Sequence, residues 1–300
     1  NCPRDSVIPL VFDGPPVAFN QGIEFNGTNY APIPLGNIRQ GEPHNFGFSP
    51  DNTLLVTISP EGAGALLHLD QSREPRSLGD VEAFAFAPDG TTLLTRDEAG
   101  VESLWPLGSE SPPRVLGRSE SRFSSDGEWL YSVDPNSRAS IRSLAAGGPA
   151  IDLGQIDRYA SLYGQAFSPD GKYIVTRDNA GSATLRAEQE NWRPRALGVI
   201  SQHSFSADSN FLFVDGAAGG ALLYDLRTMT PVRNVGSTRG FYQLARDASF
   251  LLTQQSDGTG MLWPVRTNGS VIALGPLLHD TSSLDFTDGS TYLLTQGLRR

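Results

Sequence analysis

The sequence predicts an all-β fold built from repeated four-stranded antiparallel units. Three observations carry that expectation. A strand end, a Ser-Pro-Asp-Gly-type turn and a second apolar run recur as NFGFSPDNTLLVT (45–57), FAFAPDGTTLLT (84–95) and AFSPDGKYIVT (166–176). The copies keep one internal spacing, 28 residues from the turn Asp to a Gly that usually follows Leu. Within each copy apolar residues alternate, β-branched and aromatic residues are enriched, and Gly, Pro and Asp punctuate the runs, as in strands and turns rather than helices.

Each element follows from a fixed offset. The turn anchors are Asp51, Asp89, Asp126, Asp170, Asp208, Asp247 and Gly289. Three residues earlier stands Phe48, Phe86, Phe123, Phe167, Phe205, Leu244 or Phe286, the end of strand a. Six residues after the anchor come Thr57, Thr95, Ser132, Thr176, Val214, Thr253 and Thr295, the end of strand b. A Gly-bearing loop leads to strand c, marked by Leu67, Trp105, Arg142, Arg186, Tyr224 or Trp263. Strand d closes on Gly79, Gly117, Gly154, Gly198, Gly236 or Gly275. Copies that begin 37 to 44 residues apart in unbroken register are the mark of a repeat architecture.

Four antiparallel strands per copy make a β-propeller blade, and a lone blade cannot bury both faces. The two ends of the chain supply half a blade each. Ile23–Glu24 and the Leu-Gly at 35–36 read as strands c and d, and 283–286 with 292–295 read as strands a and b. The expected fold is therefore a seven-bladed β-propeller over residues 21–300, closed by pairing N-terminal strands c/d with C-terminal strands a/b. Closure of this kind removes two exposed sheet edges. Residues 1–20 fall outside the repeat, as an N-terminal extension or linker.

At these phrases the chain resembles bacterial WD-repeat-like propellers. FAFAPDGTTLLTRDEAGVESLWPL (84–107) and SDGTGMLWPV (256–265) carry the resemblance, which covers 21–300. It implies a structural tetrad of His, Ser/Thr, Asp and Trp. Thr253, Asp257 and Trp263 match three of its members, and Thr95 with Trp105 match two. The family's Gly-His dipeptide is absent, and Tyr224-Asp225 is the nearest substitute for Trp-Asp. The resemblance implies a rigid platform for proteins or peptides, without catalysis. Trp105, Tyr224, Asp257 and Trp263 are thus expected to be structural. For Arg142 and Arg186, at the same repeat position, a broken tetrad is the expected explanation.

Composition narrows the classes further. With 38% hydrophobic and 19% charged residues the chain can form a core and does not read as disordered. A formal charge of −10 argues against a nucleic-acid partner, which needs a basic face. No run of about 18 apolar residues marks a membrane span. Cys2 is the single cysteine, so no disulfide framework is expected. A start at Asn1 with Cys2 close behind fits a processed extracytoplasmic protein, secreted, periplasmic or lipid-anchored, better than a cytoplasmic one. No nucleophile elbow, zinc-protease motif, phosphate loop or calcium loop occurs. No metal and no cofactor are expected.

All length variation falls in the d–a connections, which run 9 to 16 residues from Gly to anchor. These share one face with the b–c turns, and variable loops on a rigid scaffold are where binding resides. The candidate residues on that face are His44, Arg96, Asp97, Arg158, Tyr159, Tyr163, Arg177, Asp178, His203, Arg239, Tyr242 and His279. Arg and Tyr are the types that anchor interfaces. Against this, Arg96–Asp97 and Arg177–Asp178 read equally as local salt bridges, and the tyrosines as loop packing. The leading expectation is a non-catalytic platform for a protein or peptide. A sugar- or small-ligand-binding propeller, or a hydrolase or lyase at the channel mouth, are the alternatives.

Overall fold

The computed structural model describes residues 23–25, 28–30, 45–70, 72–145, 149–157, 166–216, 220–267, 269–276, 285–286 and 293–294. The chain divides into two compact units, Asn1–Phe48 with Asn52–Gly79, and Ser49–Asp51 with Asp80–Arg300. It is all-β, and every sheet is antiparallel.

The first unit contains the hairpin β1 (Ile23–Phe25) and β2 (Thr28–Tyr30). It also contains a sheet ordered β3 (Phe46–Phe48), β4 (Leu54–Ile58), β5 (Ala63–His68) and β6 (Arg76–Asp80). β1 falls on the expected strand c, whereas β2 pairs with it earlier in the chain than the Leu-Gly at 35–36 expected of strand d, which lies outside the described residues; Phe25 stands opposite Thr28.

The second unit repeats the four-stranded pattern. β7 (Ala83–Phe86), β8 (Thr92–Arg96), β9 (Val101–Pro106) and β10 (Arg114–Arg118) form one sheet. β11 (Glu120–Phe123), β12 (Trp129–Val133), β13 (Arg138–Ser143) and β14 (Ile151–Gln155) form the next. β15 (Tyr173–Arg177), β16 (Ser182–Ala187), β17 (Arg195–Phe205), β18 (Phe211–Gly216), β19 (Ala221–Asp225) and β20 (Thr230–Gly236) make a six-stranded sheet. β21 (Thr238–Leu244), β22 (Phe250–Gln255), β23 (Thr259–Pro264) and β24 (Ile272–Pro276) follow. β25 (Asp285–Phe286) pairs with β26 (Leu293–Leu294), the expected a and b of the seventh copy.

One departure from separate four-stranded units stands out. β17 serves as strand d of one copy and strand a of the next, with its register shifting between Ile200 and Gln202. Here the chain passes from one copy to the next without leaving extended backbone. Among the described residues, the fourth copy's strand a is represented by the bridge Phe167 to Ile174.

Local chemistry explains the repeat. In the third copy the Gly127 N–H donates to the Ser124 carbonyl (3.0 Å), closing a four-residue turn. Ser124 Oγ donates to Asp126 Oδ1 (2.5 Å) and accepts the Trp129 N–H (2.9 Å). Asp126 Oδ1 in turn accepts the Glu128 N–H (3.0 Å). The same set recurs at Ser168–Asp170 and Ser206–Asp208. Such side-chain bonds are what Ser and Asp contribute to turns. The closing Gly of each copy has a different role: Gly117, Gly154, Gly198, Gly236 and Gly275 sit at register shifts with φ of 78° to 89°. These are β-bulges with a left-handed residue, a conformation that favours Gly.

Strand b is the most buried element, and β4 is buried throughout. Strand d is the most exposed, with Val115, Val232 and Ile272 open to solvent. In the second unit, alternate residues of one strand face opposite neighbours. Leu212, Val214 and Tyr224 pack against Tyr173, Val175 and Leu185 of the preceding copy. Phe211, Phe213 and Leu223 pack against Leu251, Val265 and Trp263 of the following one. The strands β17–β20 are therefore packed on both faces by their neighbours in the second unit.

Candidate functional site

The residues singled out on the b–c and d–a side fall into three groups. His44, Arg158, Tyr159, Tyr163 and His279 lie outside the described residues, as does the side chain of Arg239 within β21. The remaining arginines and acids are held by the scaffold. The aromatic pair His203 and Tyr242 is packed between sheets.

Arg96 and Arg177 end strands β8 and β15. Neither takes the adjacent aspartate as its ion-pair partner. Arg96 Nε stands 3.5 Å from Glu82 Oε2, and Arg177 NH2 stands 3.0 Å from Asp157 Oδ2. Each acid comes from the connection entering the same copy, where its backbone already bonds: Glu82 N–H to the Arg96 carbonyl and Asp157 N–H to the Arg177 carbonyl (2.7 Å each). Arg177 NH1 also donates to the carbonyls of Ser201 (2.9 Å) and Ile200 (3.4 Å), reaching the following copy. Asp97 and Asp178 instead hold the b–c turns, Asp97 by accepting the Val101 N–H and Asp178 by accepting those of Ala180 and Ser182. This is a network of latches between strands.

Asp215, at the repeat position of Arg96 and Arg177, performs the same task with opposite charge. It is buried and accepts hydrogen bonds from Thr238 Oγ1 (2.7 Å) and Ser201 Oγ (3.2 Å). Tyr242 lies nearby, its ring centroid 4.4 Å from that of Phe213 and its hydroxyl donating to the His203 carbonyl (2.9 Å). Burial, helped by the Asp215 charge, pushes its phenol up to about 12. His203 stacks edge-on against Phe205.

The structural repeat position behaves largely as expected. Trp105 Nε1 donates to Thr95 Oγ1 (2.8 Å) and Trp263 Nε1 to Thr253 Oγ1 (2.9 Å). Tyr224 is buried in the apolar contact of its sheet. Arg186 is a finding beyond the sequence, because it keeps the bond rather than breaking it. Its NH1 donates to Thr176 Oγ1 (2.9 Å) and its NH2 to the Leu153 carbonyl (3.0 Å), so a buried guanidinium substitutes for the indole. Asp257 is exposed on the β22–β23 turn, where it accepts the Thr259 N–H (2.8 Å).

Sequence reasoning passed over two features beside the third copy. Glu102 is buried, and its carboxylate accepts from Ser119 Oγ (2.6 Å), the Ser121 N–H (3.0 Å) and Ser121 Oγ. Next to it opens a cleft of about 320 Å³ between β10 and β12–β14, whose lining includes Arg118, Ser132, Arg138 and Arg142. One signal pointed there: Ser132 and Arg142 replace the Thr and the aromatic of the repeat at the same time.

Among the described residues no group of three His, Cys, Asp or Glu side chains is placed to hold a metal ion. No helix there is long and apolar enough to cross a membrane. Fold and site together define an all-β protein of antiparallel sheets, with latched turns and a charged cleft among the described residues. Neither a protein-family model nor a curated protein matches the chain.

Proposed function

We propose that the chain is a seven-bladed, WD-repeat-like β-propeller that serves as a non-catalytic platform for a protein or peptide partner. The carrying observation is the contrast between the two ends of the sheets. At the a–b end, turns of neighbouring copies in the second unit are locked together. A Cβ on Gly171 would stand 2.6 Å from Asp126 Oδ2, Asp170 N–H donates to Ser209 Oγ (2.9 Å), and Arg266 bonds Asp208. At the b–c end the connections vary in length, and the turn tips Glu98, Asn136 and Asn179 are exposed. In this reading Arg96 and Arg177 shape the rim, and the tips and long connections meet the partner.

Two observations support ring closure. The hairpin β25–β26 falls where strands a and b of the seventh copy are expected, and β1 falls where strand c of the N-terminal half is expected. Phe46 and Phe48 of β3 are more than half exposed, whereas the equivalent Phe205 is 5% exposed against its neighbour. An uncovered apolar face of this kind calls for another sheet. Class averages by electron microscopy should show a ring with seven spokes; six spokes or an open arc would refute the closure.

The platform reading is tested by cross-linking capture from the native source with two triple variants. Glu98→Arg/Asn136→Arg/Asn179→Arg alters the b–c tips, and Glu128→Arg/Lys172→Glu/Ala207→Arg alters the a–b tips. A partner lost only with the first set supports the reading. A partner lost only with the second, or with neither, overturns the assignment of the face.

A further inference from the structure

The cleft beside β13 is where one copy departs from its siblings. Arg138, Ser140 and Arg142 alternate onto one face of β13, while Ala139 and Ile141 point to the other and are fully buried. In later copies the equivalent face carries Leu222 with Tyr224, and Met261 with Trp263; Tyr224 and Trp263 take part in the apolar contact with the preceding sheet. Here guanidinium and hydroxyl groups line a volume of about 320 Å³ instead. That is the lower end of the range for pockets that take small ligands.

The fourth copy supplies an internal control. Its Arg186, at the position of Arg142, is 8% exposed and tied to Thr176 and to the Leu153 carbonyl. In the third copy the Thr is Ser132, whose Oγ accepts the Ser121 hydroxyl (2.7 Å), and Arg142 lines the cleft half-buried. Burial first, and the Arg114 charge second, lower the Arg142 pKa, a condition that a bound anion would relieve. Arg118 enters from β10. The carboxylates around the cleft are engaged. Asp152 takes Arg138 in a two-point ion pair on the exposed rim. Asp134 accepts the N–H groups of Asn136 and Arg138 (2.8 and 2.9 Å), and Glu102 is turned to Ser119 and Ser121. The lining sets Arg118, Arg138 and Arg142 against Asp134 and Asp152, one positive charge in excess in a chain of net charge −10.

We propose that the cleft binds a small oxyanion carrying at least two negative charges, a phosphate ester or a dicarboxylate. Arg118 and Arg142 supply the charge and Ser132 and Ser140 the hydroxyl donors. The planar fork of arginine matches both oxyanions in two-point geometry. The site lies within the second unit and stands independently of the platform reading.

The test is titration calorimetry with inorganic phosphate and with succinate, each against chloride at matched ionic strength. Wild type is compared with Arg142→Met, Arg142→Lys and, as a control outside the cleft, the exposed Arg193→Gln. Wild type and Arg193→Gln should saturate with at least one anion, phosphate marking the ester and succinate the dicarboxylate. Arg142→Met should weaken that binding by roughly tenfold or more, the value of a charge-assisted hydrogen bond. Arg142→Lys keeps the charge but loses the fork, and should fall between. Melting curves establish that each variant is folded, and Arg142→Lys decides the matter should Arg142→Met not fold. Failure of both anions to saturate wild type, or equal affinity in wild type and a folded Arg142 variant, overturns the proposal.

Discussion

Two contacts between successive sheets show how far one scaffold can be filled differently. Between β17–β20 and β21–β24 the filling is apolar: Phe211, Phe213, Leu223 and Val235 meet Leu251, Val265, Tyr242 and Trp263. Between β7–β10 and β11–β14 the buried apolar set shrinks to Leu94, Leu104 and Leu130. Glu102 with its serines fills part of the remainder, and the arginine-lined cleft is the rest. Both pairs use sets of four antiparallel strands whose third and fourth strands meet at a glycine bulge. The ladder of backbone bonds and turn side chains thus sets the geometry, leaving the facing side chains to choose between cohesion and an opening.

The largest effect should come from the apolar contact. Phe213 is fully buried, and Phe213→Ala should cost about 3–5 kcal/mol by removing its burial and leaving a cavity. Chemical denaturation reads this directly; a loss under 1 kcal/mol would break the distinction between the two contacts.

Alkali should act on that same contact. The Tyr242 phenol rises from 10.0 to about 12 in the folded chain. Its contribution is complete below pH 10 and is lost as pH rises through 12, since the unfolded chain sheds its proton first. The slope is about 1.4 kcal/mol per pH unit in that window. Tyr242→Phe should flatten the pH 10–12 limb, and a profile identical to wild type would exclude Tyr242 as its source.

Glu102→Ala should cost about 2 kcal/mol, because it strips a buried acceptor from the Ser121 N–H and two hydroxyls. Equilibrium unfolding measures it, and a neutral effect would mean that the serines find other partners. Arg186→Met should cost about 1–2 kcal/mol by orphaning the Thr176 hydroxyl and the Leu153 carbonyl. An unchanged melting midpoint would mean that the buried guanidinium is no strut. Smallest is Ser137→Gly. Ser137 holds φ 61° where Gly62, Gly100, Gly181 and Gly258 stand in other copies. The substitution should stabilise by about 0.5 kcal/mol, the net of relieved strain and added chain freedom, visible as a slightly higher melting midpoint.

Much of the fold was legible because its signals are local. Ser124 and Asp126 bond within five residues of themselves, and such turns form the same way wherever the phrase occurs. The Thr95–Trp105 and Thr253–Trp263 pairs were legible too, since a ten-residue separation across one hairpin fixes which side chains face each other. The site was less so. Arg96 and Arg177 invited pairing with the next residue, yet neighbours along a strand point to opposite faces. Their actual partners, Glu82 and Asp157, come from across the sheet.

Sequence alone therefore decided the all-β class, the order of strands within a copy, the turn chemistry and the paired positions of Thr and Trp. Each depends on groups a few residues apart, joined by backbone geometry that repeats. Only the tertiary structure decided that β17 runs unbroken from one copy into the next, that Arg186 substitutes for an indole, and that Arg142 lines a cleft. Those outcomes depend on what the neighbouring sheet presents. The same residue at the same repeat position is a buried strut beside the Leu153 carbonyl and part of an open, charged wall beside Arg118.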